Sequence, residues 1–206
     1  DVAQSLNNLG NFYAMKGNFA RAEEYHLKAL EIRKIKLEEN HSFVAYSLNN
    51  LAGVYMDMGA YNKAETTYLR SFELWKKVHG EKHPMVAQAL HNLGGIYKIK
   101  GNYTKAESFY LQALELRKKV MGETHPELSY TIFDLATMHF AGTQLDKSEA
   151  LFQNWNAKKH AQIQRYFPFL SDKEKESFYE TILSGDVDIF KSFCIDRYAG
   201  KKSIAS

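Results

Sequence analysis

"NYTKAESFYLQALELRKKVMGETHP" (Asn102–Pro126) restates, with substitutions, "AYNKAETTYLRSFELWKKVHGEKHP" (Ala60–Pro84), which lies 42 positions earlier. Residues 43–84 and 85–126 agree at 23 of 42 positions without a gap. A fixed period of this size marks a chain that stacks one supersecondary unit on the next, so the period is read before any single motif. The register aligns Leu9, Leu51, Leu93 and Leu135, and likewise Tyr13, Tyr55, Tyr97 and His139. Gly17, Gly59 and Gly101 coincide, as do Phe19, Tyr61, Tyr103 and Leu145, and Ala22, Ala64, Ala106 and Ser148. His26 and Phe152 stand where other units have Tyr68 and Tyr110. Units of about 1–42, 43–84 and 85–126 are well kept, and a fourth, 127–160, has drifted.

Each unit reads as two helices. In the second unit Val44, Leu48, Leu51, Ala52 and Tyr55 recur at spacings of three and four, the signature of one helical face. Gly59 permits the positive φ of a tight connection. The following helix then presents Ala64, Tyr68, Ser71, Phe72 and Trp75 on one side. Ala52 and Ala64 are short enough for the two helices to approach closely. Gly80 and Gly122 read as helix C-terminal caps, and Pro84 and Pro126 as first-turn residues of the next helices, where a missing N–H costs nothing.

Composition narrows the function classes. The 206 residues are 45% hydrophobic and 14% aromatic, ample for a core, while a net charge of +3 is too mild to indicate nucleic acid. The single cysteine, Cys194, excludes an intramolecular disulfide framework and a multi-cysteine zinc site, and suits a reducing, cytoplasmic setting. No apolar run reaches the ~18–20 residues of a membrane helix. The chain opens at Asp1 inside an apparent first helix, so a longer parent protein is expected.

The pattern Leu51-Ala52-x-x-Tyr55, Gly59, Tyr61, Ala64, Tyr68 resembles the tetratricopeptide repeat. That family's usual period is about 34 residues; the 42-residue form with "GEKHP" or "GETHP" junctions is similar to kinesin light chain arrays. The resemblance implies an all-α superhelical solenoid of antiparallel helix pairs, here over 1–160, with a helical connector or cap over 161–206. It further implies a scaffold that binds a partner peptide or protein segment in a concave groove lined by first helices, with no cofactor and no small-molecule substrate. In the family, the residue before the signature leucine often faces that groove. Here it is Asn8, Asn50 and Asn92, then Asp134 in the fourth unit. An asparagine amide offers donors and an acceptor together, matching a peptide N–H and C=O; the same amides would equally hold neighbouring units in register. Helix spacing adds Gln4, Asn7, Asn11, Asn49, Gln88 and Lys98, with Tyr46, Met56, His91 and Tyr130 expected to select side chains. A carboxylate clamp of flanking Lys and Arg is not present, Lys98 being the one comparable basic residue.

Basic clusters recur near the ends of the second helices: Arg33, Lys34 and Lys36; Lys76 and Lys77; Arg117, Lys118 and Lys119. They read as solvated edges that complement the helix dipole, with a nucleic-acid-binding ridge as the weaker alternative. His41, His83 and His125 recur at the junctions, one per unit, which favours capping over metal ligation. No HExxH, CxxC, GxSxG or phosphate-cradling loop is present, and Cys194 among apolar residues reads as a core hydrophobe. No catalytic or metal residue is expected.

After unit four the rhythm stops. Residues 145–167 read as a long helix ended by Pro168, and Ser171 with Glu174 reads as a capping box opening another helix. "RYFPFLSDKEKESFYETI" is similar to the connector that follows such arrays in CHAT-domain proteins, ahead of a caspase-like protease domain. That resemblance implies a regulatory or substrate-docking role, with catalytic residues beyond Ser206. A kinesin-light-chain-like cargo adaptor is the alternative.

Overall fold

A computed structural model describes residues 2–166 of the chain. These form eight α-helices and no strand: α1 (Val2–Met15), α2 (Phe19–Lys36), α3 (Ser42–Asp57), α4 (Tyr61–His79), α5 (Pro84–Ile99), α6 (Tyr103–Met121), α7 (Pro126–Ala141) and α8 (Leu145–Tyr166). The chain divides into two compact units, Asp1–Glu123 with α1–α6 and Thr124–Ser206 with α7 and α8. The fold is the all-α solenoid of paired helices that the period implies. The expected boundary at 160/161 falls inside α8. The expected break at Pro168, the Ser171 cap, the later helices, Cys194 and the CHAT-like connector lie outside the described residues.

The period explains where helices stop. Gly17, Gly59 and Gly101 adopt φ of 71°, 72° and 73°. The next N–H in each case folds back on the preceding helix: Asn18 to Tyr13 O, Ala60 to Tyr55 O and Asn102 to Tyr97 O, at 2.8–2.9 Å. This is the six-to-one closure of a Schellman turn, which a left-handed residue makes possible. The fourth unit keeps the turn without the glycine. Thr143 takes φ 62°, and Gln144 N–H still reaches His139 O at 2.8 Å. Gly80 and Gly122 end α4 and α6 at φ 79° and 86°, and Pro84 and Pro126 occupy first-turn positions.

Helices pair by close approach and stack by apolar burial. Ala52 and Ala64 are fully buried where α3 meets α4. Gly94 takes the place of Ala52 in unit three, and a Cβ built there would lie 2.7 Å from the Tyr110 ring. Stacking joins each second helix to the next first helix. Leu30 of α2 packs with Val44, Leu48 and Leu51 of α3, and Trp75 of α4 with Val86, Ala89 and Leu90 of α5. Each such leucine, fully buried, contributes roughly 1.5–3 kcal/mol. Leu9 shows the dependence: among the described residues no second helix covers that side of α1, and Leu9 is 42% exposed where Leu51 is 4%. In the second unit, Ala136 and Phe152 form a separate core with Phe133, Phe140 and Leu145.

A β-branched residue held at positive φ is strained. Thr143→Gly should therefore stabilise the α7–α8 pair by about 1 kcal/mol, read as a later denaturant midpoint at unchanged slope; an earlier midpoint would show that the turn carries no strain.

Candidate functional site

The candidate residues of unit one lie on the first helices, and the asparagines bond one another across neighbouring repeats. Asn50 Nδ2 donates to Asn7 Oδ1 at 3.1 Å, linking α3 to α1, and Asn92 Nδ2 donates to Asn49 Oδ1 at 3.0 Å, linking α5 to α3. Gln88 Nε2 donates to Asn92 Oδ1 at 2.9 Å, and Gln4 Nε2 to Asn8 Oδ1 at 3.0 Å. The ladder leaves the Asn50 carbonyl oxygen and the Asn49 amide nitrogen without protein partners, and both residues are half-buried. One acceptor and one donor thus remain open side by side in sequence.

The other candidates are placed as follows. Tyr46 and Lys98 are half-buried; Asn8 and Asn11 are exposed. Met56 packs against the α3–α4 core. The His91 ring meets the Tyr110 ring edge-on at 5.4 Å. On α7, in the second unit, Tyr130 is exposed with Lys159 Nζ 5.3 Å from its ring centroid, and the Asp134 carbonyl accepts from the Thr137 hydroxyl at 3.0 Å.

Arg33 and Arg117 correct the sequence reading. They were expected on solvated helix edges, yet they are 3% and 1% exposed. Their register position faces the first-helix layer, while Lys36, Lys77, Lys118 and Lys119 take the outer edge. Arg33 Nη1 donates to Ser47 Oγ at 2.6 Å and to Phe43 O at 3.2 Å, and Nη2 to Gln4 Oε1 at 2.8 Å. Its guanidinium also lies against the Phe43 and Tyr46 rings. These partners are all neutral, and burial pushes its pKa down from the usual arginine range. Arg117 Nη2 donates to Gln88 Oε1 at 2.6 Å.

One period later than Arg33, and one earlier than Arg117, the same position is Trp75. Its partner across the layer is correspondingly Tyr46, where the flanking units have Gln4 and Gln88. An open cavity of about 340 Å³ lies here, walled by Phe43 and Tyr46 on one helix and by Trp75, His79 and His83. The His79 and His83 rings stack at 4.2 Å with 14° between planes, and Trp75 stacks on both. Trp75 Nε1 is buried and has no acceptor. Sequence reasoning missed this station, although the 42-residue register carries its signal: positions 33, 75 and 117 read Arg, Trp, Arg.

The repeats, their helix pairs and their turns agree with the family models. Tetratricopeptide-repeat models match residues 2–42, 43–119 and 86–153. The chain belongs to the tetratricopeptide-repeat family. Among solved structures, BtubC (BKLC) from P. vanneervenii is 26% identical with TM-score 0.71, covering 78% of this chain and 64% of its own. A putative kinesin light chain with nearly identical TPR-like repeats from Podosopora anserina is 20% identical, TM-score 0.66, covering 82% and 77%. The apo form of RapI is 20% identical, TM-score 0.70, covering 98% and 70%. The last two likenesses concern the fold alone. No curated protein matches the chain. Among the described residues, no group of three metal-ligating side chains occurs, and no helix is long and apolar enough to cross a membrane.

At the other end of the ladder sits a titratable group. His26, buried under Gly10, bonds Asn7 Oδ1 at 3.2 Å. Burial first, and the Arg33 charge second, hold its pKa down at about 4. The unfolded chain therefore takes the proton first, so this stability is complete above about pH 6.5 and is lost as pH falls toward about 4. The loss reaches up to ~3 kcal/mol, at ~1.4 kcal/mol for each pH unit. His26→Tyr, which installs the residue found at Tyr68 and Tyr110, should flatten the drop in Tm between about pH 7 and 4.5; an unaltered drop would assign the acid sensitivity elsewhere.

Proposed function

We propose that the face formed by α1, α3 and α5 binds an extended segment of a partner protein, with the Asn50 carbonyl and Asn49 amide engaging the segment's backbone. The observation that carries this reading is the open donor–acceptor pair that the ladder leaves on half-buried Asn50 and Asn49. A bound peptide bond supplies the matching N–H and C=O. The Tyr46–Trp75 cavity lies on the same unit, and it supports selection of one partner side chain by aromatic contact, with the buried Trp75 Nε1–H available to an acceptor. Membership of the tetratricopeptide-repeat family supports a protein or peptide as the ligand, and a non-catalytic role for this array.

Two settings for the array remain readings of ours. The 42-residue period, similar to that of kinesin light chain arrays, favours an adaptor of that type. The "FPFLS" segment favours instead a docking region attached to a CHAT-type protease. The parent sequence after Ser206 separates them, since only the second predicts a caspase-like domain there.

The test is selection from a displayed peptide library, followed by calorimetric titration of the selected peptide. Tyr46→Ala should weaken binding at least about tenfold, which is ~1.4 kcal/mol. The Asn8/Asn50/Asn92→Ala triple variant should weaken it further, while circular dichroism shows a folded array. Unchanged affinity in both folded variants would remove recognition from this face.

A further inference from the structure

His83 holds two jobs at one ring. Its side chain is the N-cap of α5, with Nδ1 accepting the Met85 N–H at 3.2 Å. The same ring forms a wall of the Tyr46–Trp75 cavity, stacked on His79 and lying parallel to Trp75 at 6.2 Å. The capping job requires the neutral imidazole. A cap must accept, and an imidazolium donates from both nitrogens and accepts at neither. A positive charge also faces the positive end of the α5 dipole, which repels it.

We propose that protonation of His83 breaks the α5 cap and loosens this aromatic wall, so that the cavity is intact near neutrality and dismantled in acid. Its bearing on recognition rests on the reading that this cavity belongs to the binding face.

The charged neighbours of the ring are mostly cationic. In the last turn of α4 and the connection after it, residues 76–82, the charged or titratable groups are Lys76, Lys77, His79, Glu81 and Lys82. Glu81 is the one acid among them; it is largely exposed and paired with Lys76 Nζ at 3.3 Å. From α3 the cavity is faced by Tyr46 and from α1 by the neutral Gln4, and on α2 the Arg33 charge lies against the Phe43 and Tyr46 rings. Burial, and then the neighbouring His79, hold the pKa of His83 below the ordinary histidine range. The cap is therefore whole above that range's usual value of about 6.5 and is lost as pH falls through the lower folded value.

The device is built into the repeat. His41 accepts from Phe43 N–H at 3.1 Å to cap α3, and His125 accepts from Glu127 N–H at 3.3 Å to cap α7. Only His83 adds a stacked histidine and a cavity wall.

Nuclear magnetic resonance of the ¹⁵N-labelled chain tests the proposal without a partner. At about pH 7.5, His83 should show an unprotonated Nδ1. On acidification the Met85 amide and Trp75 indole N–H resonances should move with the midpoint of His83 itself. In His83→Asn, an N-cap that does not titrate, both should stay still while the protein remains folded. A Met85 amide that is stationary while His83 titrates would overturn the proposal, as would one that moves equally in the asparagine variant. A failed peptide selection bears on the binding face alone and leaves this readout untouched.

Discussion

Everything in this chain depends on one packing constraint: a first helix buries its apolar stripe only against the second helix of the unit before it. Leu51 and Leu93 are nearly inaccessible because α2 and α4 cover that side, and Leu9 is not. Close approach within a pair supplies the other half of the constraint. Alanine or glycine must stand where Tyr68 or Tyr110 crosses the facing helix, which is why Ala52 and Gly94 share a register position. Where both conditions are met, at α3 and α5, the polar side chains on the first helices are left to order themselves in rows. The asparagine ladder is the result.

That ladder reconciles two roles that compete for one residue type. Asn50 and Asn92 spend an amide donor on the preceding repeat, fixing the register between neighbours. The groups that remain, an oxygen on Asn50 and a nitrogen on Asn49, are available because an amide has more hydrogen-bonding capacity than register requires. An ionised acid at those positions, which only accepts, would meet one demand and not the other. The arginines take a different course. Arg33 is buried with neutral acceptors and aromatic faces around it, a mode that a planar, weakly hydrated guanidinium tolerates better than an ammonium does.

Most of the fold was legible because periodicity averages out local noise. Helix pairs, glycine turns, proline starts and histidine junctions recur at 42, and each has a backbone reason for its residue type. The site was less legible, for physical reasons that differ by residue. Asn50 and Asn92 were identified as polar residues of the first-helix face, but sequence cannot show that their donors are already committed. Arg33 and Arg117 were misplaced because cations near a helix end ordinarily solvate its edge. Only packing reveals which cation of a cluster turns inward. His79 and His83 stack across the end of α4, a contact made by a turn and invisible to helical spacing.

The alternation at positions 33, 75 and 117 carries one more consequence. Structurally the array repeats every 42 residues, but over its first three units the inner face reads arginine–glutamine, tryptophan–tyrosine, arginine–glutamine, so one aromatic station stands between two cationic ones. Loss of the second unit would leave the stack sound and yet set two cationic stations side by side, rewriting the order in which a ligand meets charge and ring. A change of length that leaves the helix pairs intact is thus neutral for folding without being neutral for the message.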